Sequence, residues 1–294
     1  MSTRSGILLA IVAATLWGVS GTAAAGVFDE VGTSFVTELR ALSAAMLFVP
    51  FALARREFPK RETLPALLAF GATLTVVTYS FYVAIDHLGV GPGATIQFVA
   101  PLYILVWDAT RGRRLPGLAW VAATAALLGV GLLTRAWDAT AIDTIGIAAG
   151  VIASISFAIY LVLGEHLAVH YSPPALVGYG FGITALFWLF AEPIWKFPTN
   201  ISATAWWQLA TVAVLGSALP FMIELAALRR ARASIIGIVA TLEPVVGATA
   251  AWLFLSQRLA AVQTVGIVLV LGAIAAIQQI GSREGHIGPR AAAR

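Results

Sequence analysis

Tyr82–Leu105 reads YVAIDHLGVGPGATIQFVAPLYIL and Leu225–Ala248 reads LAALRRARASIIGIVATLEPVVGA; the two superpose at an offset of 143 residues, with Pro101 on Pro244. A second pair, Gly6–Val19 (GILLAIVAATLWGV) and Gly146–Ile159 (GIAAGVIASISFAI), superposes at an offset of 140, with Trp17 on Phe157. A near-constant internal repeat in so apolar a chain points to a membrane transporter built from two like halves.

Composition identifies the solvent. Hydrophobic residues make up 60% of 294 and charged residues 11%, and mean hydropathy is +0.90. A soluble domain is about 45–50% apolar and about 25% charged. No aqueous fold buries so much apolar surface, so the bilayer is the solvent. The chain has no cysteine, which excludes disulfides, cysteine–zinc sites and thiol chemistry.

Ten apolar stretches follow, at 6–26, 33–54, 64–85, 91–110, 116–134, 144–165, 174–191, 205–228, 234–255 and 260–280. Each is near the roughly 20 residues a helix needs to cross the hydrocarbon. Lipid offers the backbone no hydrogen-bond partner and no alternating strand pattern occurs, so the spans are helices. The first span matches the sixth in the repeat, so it is read as a span and not as a cleavable leader. The fold class is therefore all-α integral membrane, with five-helix repeats at 6–134 and 144–280 and a cytoplasmic tail at 281–294.

With the N-terminus inside, the inner loops carry Arg4; Arg55, Arg56, Lys60 and Arg61; Arg111, Arg113 and Arg114; Arg229, Arg230 and Arg232; and Arg283, Arg290 and Arg294. The outer loops carry Arg135, Lys196 and Arg258, and Arg40 lies within span 2. This bias predicts both termini in the cytoplasm. It also explains the pI of 9.8 without a nucleic-acid partner, because each basic cluster is short and hugs a span end. Five spans per repeat is an odd number, so the second half enters the membrane upside down. Inverted halves can exchange conformations, and the substrate is expected between them near the midplane.

Several of these residues carry a family resemblance: Leu16–Trp17–Gly18 in span 1, Phe157–Ala158–Ile159–Tyr160 in span 6, the small-residue run from Ala94 to Pro101 in span 4, and Leu242–Glu243–Pro244 in span 9. Over about residues 6–280 the chain resembles the drug/metabolite transporter superfamily, in its ten-span branch with two EamA repeats. Within that branch it is similar to YddG-type aromatic amino acid exporters. The resemblance implies an exporter of amino acids, aromatic or large neutral ones favoured, and related metabolites. It also implies alternating access, no cofactor, and a place in the bacterial inner membrane. Exporters of this kind tend to set a bulky ring beside the span-4 proline, where this chain has Ala100, leaving room for a larger substrate.

The midplane supplies the candidate site. Pro101 and Pro244 each remove a helical hydrogen bond, and the freed carbonyls have two readings: they face substrate, or they simply allow the helix to kink. Gln97, one turn before Pro101, both donates and accepts. Its alternative is a bridge between helices. Glu243 sits at mid-depth, where a carboxylate must face the bundle interior or water. It suits a counter-ion to a substrate ammonium, a proton carrier, or a fixed partner of a helix end. Trp17, Tyr79, Tyr82, Tyr103, Phe157 and Tyr160 are candidate rings for a planar or ammonium-bearing substrate. Each is equally suited to filling the core or the interfacial belt. Arg40 has three readings: snorkelling outward, pairing with a carboxylate on another span, or holding a substrate carboxylate. Glu224 reads as an ion-pair partner of the Arg229–Arg232 cluster. Spans 1, 3, 4, 6, 8 and 9 are expected to line the cavity, and the nearly uniform spans 5 and 10 to support it.

No HExxH, Walker A, GxGxxG or GxSxG motif occurs, so an enzyme is not the expected class. His166 and His170, four residues apart, have no evident third ligand, and no metal site is expected. The expected partners are a small-molecule substrate and membrane lipid, around a monomer. Two rivals remain. One is a drug or cation exporter driven by proton exchange at Glu243. The other is a lipid scramblase, which needs a polar groove open to lipid.

Overall fold

The computed structural model describes residues 2–25, 27–113, 116–138, 143–196, 198, 200–254 and 259–283. Arg114 and Arg258 of the charge pattern, and 284–294 of the tail, lie outside them. Among the described residues, ten helices are long and apolar enough to cross a membrane. They are α1 (Thr3–Ala25), α2 (Thr33–Ala54), α3 (Leu64–Leu88), α4 (Val90–Thr110), α5 (Gly117–Thr134), α6 (Thr144–Leu167), α7 (Pro173–Ala191), α8 (Ala203–Leu228), α9 (Ala233–Ala240 continued by Leu242–Phe254) and α10 (Ala261–Arg283). All lie within a few residues of the stretches read from hydropathy.

Local chemistry sets the ends and breaks. α7 opens on Pro173, where a missing N–H costs nothing, and Ser172 Oγ accepts from Ala175 N. A single residue, Gly89 at φ 82°, reverses the chain between α3 and α4. α4 breaks between Gln97 and Ala100, and α9 breaks at Thr241. Pro101 and Pro244 explain both breaks: neither can donate to the carbonyl four residues back, on Gln97 and Ala240. α8 is interrupted by a wider turn at Val214–Ala218, ahead of Pro220.

Packing follows the repeat. α2 packs on α7 and α5 on α10, each helix on its own repeat mate. The α3–α6 pair is matched by α8–α1. Exchanging the halves leaves this set of pairings unchanged, as an in-plane pseudo-twofold axis requires. Glycines make the closest crossings possible. A Cβ on Gly129 would lie 2.8 Å from the Gly266 carbonyl, and one on Gly266 would lie 2.5 Å from the Gly129 carbonyl. At Gly178 an added Cβ would meet the Phe48 backbone at 2.8 Å, so this small face is used within the chain by α2.

Candidate functional site

A cavity of about 510 Å³ lies between the two halves. It runs from Trp17, Phe157, Tyr160 and Glu243 at mid-depth to Ile85, Val90 and Gly91, by the α3–α4 link, and to Gln263 at the start of α10. Those last residues lie at the face opposite the N-terminus. Rings close the other end: Tyr160 stacks on Phe70 at 5.2 Å between centroids, and Phe221 meets Tyr160 at 5.8 Å and Phe181 at 5.0 Å.

Beyond that floor, towards the N-terminal face, polar contacts join the halves. Glu165 at the end of α6 accepts from Ala233 N at 2.8 Å, capping α9, and from Arg113 at 3.3 Å. Ser234 donates to Asp108 at 2.9 Å. The first segment of α9 thus packs along α6. The repeat equivalents of that pair, α1 and the first segment of α4, line the cavity instead, and Val90 is half-exposed. At this opposite face His87 Nδ1 lies 3.0 Å from Asp143 Oδ2, and Asp143 caps α6. Hydrogen bonds from Gly146 N, His87 and Ile145 N hold the Asp143 carboxyl below the usual carboxylate range.

Arg40 is the side chain that sequence reasoning left outside its list of site residues. It is buried at 6% exposure and lines the cavity. Its Nε donates to Ser217 Oγ at 2.8 Å, one terminal nitrogen to Tyr82 Oη, and the other to the Gly216 carbonyl at 2.8 Å. Its guanidinium carbon lies 5.2 Å from the Tyr82 ring centroid and 5.7 Å from that of Phe221. None of these partners is ionised at neutral pH, and the ion pairs among the described residues are His87–Asp143 and Arg113–Glu165. Glu243 lines the same cavity with no hydrogen bond to any described residue. One cavity therefore holds a fixed cation and a carboxylate that do not pair with each other.

The Gly216 carbonyl also accepts from Trp17 Nε1 at 3.0 Å. Pro220, four residues on, has no N–H to offer it. The sequence signal for this was a third mid-span proline and an arginine within an apolar span.

The cavity brings together Trp17, Tyr82, Gln97, Phe157, Tyr160, Glu243 and Pro244. Tyr79 and Tyr103 do not join them: they are 38% and 40% exposed on the bundle exterior, and Tyr79 packs edge-on against Trp188 at 5.0 Å. Each residue turns an α-helix by about 100°, so a ring at the right depth can still face lipid, and depth alone does not fix phase. Pro101 is buried beside Gly237 rather than in the cavity wall. Glu224 is not ion-paired with the arginine cluster; it accepts from Tyr160 Oη at 2.9 Å. Spans 5 and 10 contribute Leu133, Thr134 and Gln263 to the wall, and span 2 contributes Arg40, so support and lining are not separate sets of helices.

The EamA-like transporter family matches residues 4–135 and 144–278. The threonine/homoserine exporter RhtA of Escherichia coli K12 is 30% identical over 275 residues, covering 92% of this chain and 88% of its own length. An uncharacterized inner membrane transporter, YicL, of Salmonella typhimurium LT2 is 25% identical over 286 residues, covering 93% and 95%. One solved crystal structure superposes with a TM-score of 0.79 at 16% identity, covering 95% of this chain and 98% of its own, and so shares the fold. With ten apolar helices arranged as two repeats, the chain is a multi-pass protein of the bacterial inner membrane and a member of the EamA-like transporter family, a drug/metabolite transporter.

Proposed function

We propose that the chain exports neutral amino acids, with aromatic and large neutral ones favoured, by alternating access. The observation that carries this reading is the pair of unmatched opposite charges in one cavity, Arg40 and Glu243. An amino acid is a zwitterion. Its carboxylate fits a guanidinium with N–H donors to spare, and its ammonium fits a carboxylate without a partner. The relatives named as threonine/homoserine exporters support an amino acid as cargo. The volume of about 510 Å³ and the rings of Trp17, Phe157 and Phe221 accommodate bulky side chains.

Alternating access is supported by asymmetry on a symmetric frame. The α6–α9 contact is closed by Glu165 at the N-terminal face, while its repeat equivalent, α1 against α4, flanks the cavity. Exchanging the conformations of 6–134 and 144–280 closes one face and opens the other. With both termini in the cytoplasm, as the loop charges favour, the state described is open to the periplasm. The whole cavity lies within one chain, so a monomer suffices.

The test is counterflow of radiolabelled phenylalanine, tryptophan and threonine in proteoliposomes of the purified protein. Saturable exchange of at least one supports the reading, and exchange of none overturns it. A second reading, proton-coupled export of drugs or cations, is favoured by one observation: the carboxyl groups of Glu224 and Glu243 lie near each other, so a proton on one of them would relieve their repulsion. Under it, a proton gradient is obligatory and Glu243→Gln abolishes exchange of any cargo.

A further inference from the structure

We propose that Gln97 reads a hydroxyl on the substrate side chain, so that of two amino acids of equal shape the hydroxylated one is preferred. This rests on the amino acid reading above and adds a specificity-determining residue and a substrate class to it.

Two glutamines line the cavity, and they differ. Gln263 is engaged at both ends of its amide: Nε2 donates to the Leu133 carbonyl at 2.9 Å, and Oε1 accepts from Ala260 N at 3.0 Å. Gln97 is 6% exposed, and its Oε1 has no partner. Apart from Glu243, the other described polar side chains of the wall are engaged: Trp17, Ser20, Arg40, Tyr82 and Thr78 all make hydrogen bonds. Buried amides are rarely left idle, because the lost hydration is not replaced. Among the described residues, Gln97 is thus the one neutral polar group of the wall held ready for something that arrives.

Its surroundings say what arrives. Beside it in α4 are the small residues Gly93, Ala94 and Ala100 and the ring of Phe98, which meets Phe157 edge-on at 6.4 Å. These leave room but offer no polar side chain. Ile96 packs against Gly150 of α6, and one turn on from Gly150 the Ser154 hydroxyl is likewise buried without a partner. An amide can present oxygen or nitrogen to the cavity after a half-turn, and a hydroxyl satisfies either, since it both donates and accepts. An ammonium or a carboxylate satisfies one only, and each already has an unmatched charge elsewhere in the cavity. The repeat mate of Gln97 is Ala240, so the group is not demanded by the repeat fold.

The experiment is equilibrium binding of two matched pairs, threonine with valine and tyrosine with phenylalanine, to the protein in nanodiscs. The wild type is expected to prefer the hydroxylated member of each pair by about tenfold, the size of one net hydrogen bond. Gln97→Leu should bring both ratios close to one, and saturable binding of valine or phenylalanine shows that the variant is folded. Gln97→Met carries the same expectation if the leucine variant fails to fold. Ratios of one in the wild type, or ratios that survive Gln97→Leu, overturn the inference and leave the amino acid reading standing. Binding of none of the four overturns both.

Discussion

Trp17 and Arg40 share one acceptor: the indole Nε1 and a guanidinium nitrogen donate to the same Gly216 carbonyl, at 3.0 and 2.8 Å. α1, α2 and α8 are thereby tied at one point on the cavity wall. The carbonyl is available because Pro220 cannot take it into the helix ladder. The arrangement fixes a cation at mid-membrane through neutral partners, which leaves its charge for a ligand.

Replacing Arg40 with lysine keeps the charge but loses the planar fork that reaches Ser217, Tyr82 and Gly216 together. Exchange should fall at least tenfold, with substrate affinity carrying most of the loss. Initial rates against substrate concentration check this; an unchanged KM would count against a carboxylate role for Arg40.

Gly18 faces the α9 break. A Cβ there would lie 2.5 Å from the Glu243 carbonyl and 2.7 Å from Val246 Cβ, both too close to tolerate. Gly18→Ala must push α1 away from α9, at a cost of about 1–3 kcal/mol. A lower Tm in detergent and weaker binding are expected together, and an unperturbed Tm would contradict the packing described.

The chain has no cysteine, so single cysteines report accessibility without background. Thr134→Cys, on the cavity wall, should react with a membrane-impermeant maleimide from one side of the bilayer. Ser234→Cys, beneath the Glu165 contact, should be protected, and adding Glu165→Gln should raise its labelling from the other side. Equal labelling of Ser234→Cys in both backgrounds would show that Glu165 does not hold that face shut.

Asp143 caps α6 and pairs with His87 outside the membrane, and its carboxyl is held below the usual range. A depressed carboxylate stabilises the fold above its unfolded pKa, and that contribution disappears as pH falls through the lower folded value. Asp143→Ala should therefore lower Tm at neutral pH, and the gap should close below about pH 4. A gap that persists to lower pH would mean that the effect is not carried by the charge.

Much of this was legible in the sequence. The offset of 143 between Pro101 and Pro244 marked both helix breaks, and the apolar runs placed all ten helices. Glu243 and Gln97 stood out because a polar group at mid-depth must face the interior. Rotation about the helix axis was not legible. Tyr79 and Tyr82 lie in one span three residues apart, yet one faces outward and the other meets Arg40. The hydroxyls of Thr73, Thr75, Thr78 and Ser80 are spread around that helix, so no single polar face sets its phase. The role of Arg40 was also hidden, because its partners Ser217 and the Gly216 carbonyl lie 177 and 176 residues away.

The most direct test of the central claim is binding of three forms of one substrate to the wild type, Arg40→Gln and Glu243→Gln: the amino acid, its decarboxylated amine and its deaminated acid. If Arg40 holds the carboxylate and Glu243 the ammonium, the wild type binds the amino acid best. Arg40→Gln should then weaken the amino acid and the acid but spare the amine, and Glu243→Gln should weaken the amino acid and the amine but spare the acid. If the three forms bind the wild type alike, or both variants weaken all three equally, the two charges do not read a zwitterion and the account fails.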